Sequence, residues 1–126
     1  MKRVILLLIA VWILFLSLER GGLSARIITV DDDLQDLPNA DFTRIQDAVN
    51  AASPGDTILV YPGTYTENVK MNKDHLTIRS EEKAETTIVR AANEDNHVFE
   101  VTADYVTIRG LSICGAKLGC AGIYLS

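Results

Sequence analysis

Two stretches of this chain are near copies of each other, and they limit its possible architectures more than any other feature. Asp74-His75-Leu76-Thr77-Ile78-Arg79 matches Asp104-Tyr105-Val106-Thr107-Ile108-Arg109 position for position at a constant offset. Each copy runs from an acidic turn residue into alternating apolar and polar residues. Alternation with period 2 is strand spacing, because successive side chains point to opposite faces. Repeats of this size with strand-like cores mean a solenoid or a propeller, not an array of helix pairs. Stacking the copies puts Leu76 over Val106 and Ile78 over Ile108 inside. Thr77 over Thr107 and Arg79 over Arg109 then lie outside.

Shorter segments fill the interval. Residues 86–90 (TTIVR) and 97–101 (HVFEV) alternate, and residues 91–96 (AANEDN) between them have loop chemistry. Residues 111–113 and 122–125 continue the pattern, and residues 26–30 (RIITV) read as a first strand. Three short strands per repeat suit a triangular coil, with about three coils in all.

Residues 43–69, TRIQDAVNAASPGDTILVYPGTYTENV, read differently. Ile45, Ala48, Val49 and Ala52 fall at i, i+3, i+4 and i+7, one apolar stripe on a short helix. Thr43 is placed to be its N-cap, with Gln46 reaching back to complete a capping box. Pro54 and Gly55 end it. The period then changes to 2, with Ile58 and Val60 on one face. Pro62-Gly63 suits a type II turn, and residues 65–71 resume as a strand with Val69 and Met71 on one face. A single amphipathic helix among short strands needs a surface to cover, and the open end of the strand stack supplies it.

The N-terminus sets the compartment. Lys2 and Arg3 precede an apolar run from Val4 to Leu16, extended by Leu18, a charged region followed by a hydrophobic one. As a helix the run to Leu18 is roughly 22 Å long, short of the ~30 Å hydrocarbon core. Residues 1–25 are therefore read as a signal peptide cleaved after Ala25, or as an N-terminal membrane anchor with Lys2 and Arg3 inside. Either way residues 26–126 are extracytoplasmic, secreted or at the cell surface, and the membrane is met only through residues 4–18. The whole chain carries a net charge of −5, and removing the leader makes it more acidic. Phosphate contacts need clustered Lys and Arg, so nucleic acid is not an expected partner.

Candidate chemistry is sparse. Asp31, Asp32 and Asp33, with Asp36 and Asp41 beyond, admit a calcium loop, since hard cations want several oxygen ligands. The run lacks the glycine and closing glutamate of an EF-hand, and a solvated acidic turn is the expected reading. Cys114 and Cys120 are the two cysteines, and export permits a disulfide between them. Two free, small buried residues near a turn is the other reading, and the spacing fits no metal signature. Copper would need His75, His97 and Met71 to converge. His75 instead aligns with Tyr105 at a strand start, and Met71 reads as core. Tyr61, Tyr65 and Tyr124 could form an aromatic platform for sugars, although a structural role is favoured. Glu81-Glu82 and Glu94-Asp95 read as solvated turns. No catalytic, cofactor-binding or metal-binding residue is expected, and no cofactor.

The segment DFTRIQDAVNAASPGDTILVYPGTYTENV resembles the N-terminal cap and first coil of right-handed parallel β-helix proteins of the pectin lyase-like superfamily. It is similar to archaeal cell-surface β-helix proteins with NosD-type repeats, and pectin methylesterases open in a similar way. The resemblance runs from about Ile28 onward. It implies an all-β solenoid: a right-handed parallel β-helix with an N-terminal capping α-helix, few coils, and a C-terminally incomplete stack. It also implies a non-catalytic exported surface protein, structural or binding polysaccharide or surface-layer components. The alternative it carries is the N-terminal part of a pectate lyase-like or pectin esterase-like enzyme, whose active-site residues lie on later coils. A lesser alternative is a copper-delivery accessory protein of NosD type. One fold hosts many functions, so the likeness is specific for fold and not for activity. A stack open after residue 125 predicts end-to-end association at its C-terminal coil.

Overall fold

The computed structural model describes residues 24–119 and 122–126. The apolar run at residues 4–18 lies outside them, as does Cys120. The described chain consists of short strands in parallel sheets with one short helix. The elements are β1 (Ile27–Val30), α1 (Ile45–Ala51), β2 (Thr57–Val60), β3 (Gly63–Thr66), β4 (Val69–Met71), β5 (Thr77–Ser80), β6 (Thr87–Arg90), β7 (Phe99–Val101), β8 (Thr107–Arg109), β9 (Ser112–Cys114) and β10 (Ile123–Leu125).

Three sheets form, with orders β1-β2-β5-β8, β3-β6-β9 and β4-β7-β10. Every pairing is parallel. From β2 onward the chain visits the three sheets in strict rotation. The internal repeat sets the register: Thr77 pairs with Thr107, Ile78 with Ile108 and Arg79 with Arg109. Extended downward, that ladder stacks four isoleucines, Ile28, Ile58, Ile78 and Ile108. β-branched side chains are restricted at χ1, and such cross-strand pairs stabilise a sheet.

The interior is the space the three sheets enclose. Val30 and Val60, Tyr65 and Val89, Val69 and Phe99, and Met71 and Val101 meet there as cross-strand neighbours, all buried. Alternate positions point out, as at Leu59, Arg79 and Arg109, or at the Lys70–Glu100 pair, whose charged ends are 3.9 Å apart. The corner before each T-I-R strand is also repeated. His75 and Tyr105 both adopt the left-handed conformation, with φ of 59° and 57°. Their rings stack with centroids 4.8 Å apart, and the Asp104 N–H donates to the Asp74 carboxylate at 2.9 Å.

Helix α1 packs against β1, β2 and β4, burying Ile45, Ala48, Val49 and the following Ala52, the stripe read from the sequence. Its cap differs from the expected one. The N-cap residue is Arg44, and no side chain of the cap residue bonds the helix. The amides of Ile45 and Gln46 donate instead to the two oxygens of Glu67, at 2.8 and 3.1 Å. A buried carboxylate meeting the positive end of a helix stabilises both. At the other end the Lys73 ammonium donates to the carbonyls of Val49, Asn50 and Ala52 at 2.8, 2.6 and 2.6 Å. Between them the Gln46 amide accepts from Lys70 N–H and donates to Lys70 C=O, so it continues the ladder on the outer edge of β4. Helix α1 is thus held against β1, β2 and β4 by the side chains of Glu67 and Lys73 and by its own Gln46.

Two further local expectations are corrected. Residues 65–71 are not one strand: β3 ends at Thr66 and β4 begins at Val69, with a corner at Glu67-Asn68. The Asn68 side chain ties that corner to the segment between β6 and β7 through Asn93 N–H and the carbonyls of Asn93 and His97. Gly63 is not in a type II turn, because its φ of 156° is far from the required ~+80°. It opens β3.

Asp56 anchors the entry to the sheets. Its buried carboxylate accepts from the backbone of Arg26 (2.8 Å) and Ser53 (2.9 Å) and from the Arg26 guanidinium (3.4 Å). Burial alone would raise this carboxyl; the hydrogen bonds from Ser53 and Arg26 and the Arg26 charge outweigh it and hold it below its ordinary 3.8. A carboxyl depressed in the folded state stabilises fully above its unfolded value, and that stability is lost as pH falls through the folded value. Thermal stability is therefore expected to fall below about pH 4, and Asp56→Asn to flatten that part of the pH profile. An unchanged acid limb in the variant would remove Asp56 from this role.

Candidate functional site

The residues with unusual surroundings lie where the chain leaves β1. Residues 31–42 loop out and return, so that Phe42 bridges back to Val30 in parallel. The loop is closed by Asp41, whose carboxylate accepts from the N–H and hydroxyl of Thr29 at 2.9 and 3.0 Å. Asp41 is thus occupied away from the three aspartates at the start of the loop.

Those three differ in exposure. Asp33 is exposed and Asp32 half-buried, but Asp31 is fully buried, so the expected solvated acidic turn does not form at its first residue. One oxygen of Asp31 accepts from Leu37 N–H at 2.6 Å, while Oδ1 has no hydrogen-bond partner among the described residues. Asp32 Oδ2 accepts from Thr64 N–H at 3.1 Å, and Asp33 Oδ1 from Gln35 N–H at 2.9 Å. A carboxylate oxygen from each of the three lies within 4.8 Å of the others. The ion pairs of the described residues all lie elsewhere: Arg26–Asp56, Arg44–Glu67, Lys70–Glu100, and Lys117 with Glu94 and Asp95. Nearby Asp36 is exposed, yet desolvation and then the charges of Asp31, Asp33, Glu82 and Asp32 hold its carboxyl above 3.8.

Tyr65 and Gly63 form the wall of this turn. The Tyr65 hydroxyl is held by the Tyr61 carbonyl at 2.8 Å, with Val30 O at 3.3 Å, and accepts the Asp32 N–H at 3.2 Å. Burial, then the Asp32 charge, raises the hydroxyl well above its ordinary 10.0, so it keeps its proton. A Cβ at Gly63 would run into the Asp32 carboxylate. Gly63→Ala is therefore expected to push Asp32 off Thr64 and cost about 1–3 kcal/mol, measurable by urea denaturation. A loss below about 0.5 kcal/mol would show that Asp32 yields freely.

The other residues singled out in the sequence do not come together. Tyr65 is buried, Tyr61 is half-buried, and Tyr124 stacks on His97 at 4.4 Å, so the three tyrosines form no platform. His75 stacks on Tyr105, His97 lies at a different corner on Tyr124, and Met71 is fully buried, so no copper-binding triad forms. Cys114 is exposed at the end of β9, not a small buried residue; its pairing with Cys120 falls outside the described residues. Glu81, Glu82, Glu94 and Asp95 are exposed as expected. A groove beside His97, lined by Asn68, Lys70, Asn96 and Glu100, holds about 120 Å³, below the ~300–1,000 Å³ usual for small-molecule sites.

At the end away from α1, interior positions are uncovered. Ile123 and Leu125 occupy the same ladder positions as buried Phe99 and Val101, but are 43% and 74% exposed. Val106, Ile108, Leu111 and Ile113 are only partly buried. Among the described residues, β8, β9 and β10 each end their sheet.

These features define a parallel-stranded protein with one short helix against β1, β2 and β4, exposed apolar residues on β10 and an acidic turn after the first strand. Comparison with known proteins adds one relationship. The chain is similar to a cell surface glycoprotein of Methanothermus fervidus, with 38% identity over 80 residues, which is 62% of this chain and 13% of that protein. The chain thus matches a small part of its relative's length. No family model matches the chain. No solved structure matches it.

Proposed function

We propose that this chain is the cap-bearing part of an exported cell-surface protein, a non-catalytic scaffold whose flat strand faces contact polysaccharide or surface-layer components. The similarity to a cell surface glycoprotein supports the surface part of this reading. The strand order supports it: three parallel sheets visited in rotation are consistent with a parallel β-helix, which the general preference of parallel crossovers would make right-handed. Such a stack is rigid and extends by adding coils. Antibody raised against residues 26–126 should label intact cells that make the protein, and brief protease treatment of those cells should remove the signal. Labelling only after lysis would overturn the surface assignment.

A further inference from the structure

We infer that the turn at Asp31, Asp32 and Asp33 is a binding site for one Ca²⁺ ion, with the buried Oδ1 of Asp31 as its innermost ligand. The proximity of three carboxylates is the first observation. Exposed acidic clusters are common without an ion, so proximity alone would carry nothing. The second observation is independent of it: Asp31 is fully buried and its Oδ1 meets no donor among the described residues. A buried carboxylate oxygen normally has a hydrogen-bond partner, because leaving it bare forfeits its hydration. Its other oxygen is fixed by Leu37 N–H, so the carboxylate cannot turn away to find one. No basic side chain is paired with these aspartates among the described residues. A cation in the turn would satisfy all of these groups at once.

The remaining lone pairs are positioned for it. Asp32 keeps Oδ1 unbonded while Oδ2 is pinned by Thr64, and Asp33 keeps Oδ2 while Oδ1 is pinned by Gln35. Exposed Asp33 gives the ion a way in, and solvent can complete the shell. Coordination geometry favours Ca²⁺ over Mg²⁺. Oxygens on opposite sides of Ca²⁺ lie about 4.6–5.2 Å apart, against about 4.0–4.2 Å for Mg²⁺. The three oxygens lie within 4.8 Å of one another, close enough to share one ion, and Ca²⁺ tolerates the irregular geometry of one turn where Mg²⁺ demands near-ideal octahedral placement. Three monodentate carboxylates on a partly exposed turn suit the weak range of extracellular modules, about 10⁻⁴–10⁻³ M.

The test uses the full chain, stripped with chelator and dialysed. Added CaCl₂ should raise the melting temperature in a saturable way, and Tb³⁺ in place of Ca²⁺ should luminesce on excitation of the protein, with Tyr65 beside Asp32 as the antenna. Asp33→Asn, at an exposed position that does not threaten folding, should weaken the Ca²⁺ dependence at least tenfold. Asp31→Asn should abolish it while leaving the calcium-free protein no less stable. MgCl₂ at equal concentration should produce a much smaller shift. A melting temperature that CaCl₂ leaves unmoved, or a shift that survives both variants, would overturn the site. An equal response to Mg²⁺ would overturn the assignment to Ca²⁺.

Discussion

Replacing Phe99 with alanine is expected to remove about 3–5 kcal/mol of stability, the range for deleting a large buried aromatic. Phe99 is fully buried and heads the largest side chains of the interior. It lies between Val69 below and Ile123 above, so truncation opens a void that spans two strand layers. Stability of small domains totals only about 5–15 kcal/mol, so the variant should sit near the edge of folding. Glu100→Ala, one residue along, removes an outward side chain and should cost less than about 1 kcal/mol. The contrast between neighbours tests register, because a slip of one residue would exchange their roles. Urea denaturation of both variants decides it. A cost below about 1 kcal/mol for Phe99→Ala would place its side chain outside the stack.

Glu67→Ala should be the next most damaging change, at about 2–4 kcal/mol. It leaves the amides of Ile45 and Gln46 without acceptors, the first of them buried, and each such amide costs about 1–3 kcal/mol. It also removes the negative charge from the helix N-terminus. Glu67→Gln keeps one acceptor and should lose roughly half as much. Arg44 lies 3.8 Å from Glu67 but is largely exposed, so solvent screens the pair and Arg44→Ala should change stability by less than about 1 kcal/mol. Amide hydrogen exchange gives a second readout: protection in residues 45–52 should collapse in Glu67→Ala before the sheets open. Uniform loss across sheets and helix would mean that α1 is not separately pinned.

Much of the stack was legible because it repeats. The two T-I-R copies fixed which strands pair and in what register, and the i, i+3, i+4, i+7 stripe fixed the buried face of α1. The corners were less legible. Strand alternation carried back from Val69 and Met71 runs through Glu67 to Tyr65, and all four are buried. Parity alone would have placed the carboxylate and the phenol inside, but a glutamate reads as exposed until its partner is known. That partner, the first turn of α1, lies about twenty residues earlier. The Thr43 capping box was locally sound and lost to this longer-range acceptor. Asp31 was hidden for the opposite reason: it follows buried Val30 and breaks parity where the strand turns out. Its one donor, Leu37 N–H, belongs to a loop with no period to read. Ile123 and Leu125 have core identities, and their exposure depends on what lies above them, which no local pattern encodes.

The most direct measurement of the central claim is the hydrogen bond joining the two copies of the repeat. Thr107 N–H donates to Leu76 C=O at 3.0 Å, so a trans-hydrogen-bond NMR coupling should link the Thr107 nitrogen to the Leu76 carbonyl carbon. The parallel in-register stack predicts that coupling. A coupling from Thr107 to any other strand, or the paired donor and acceptor couplings of an antiparallel ladder between these segments, would contradict it.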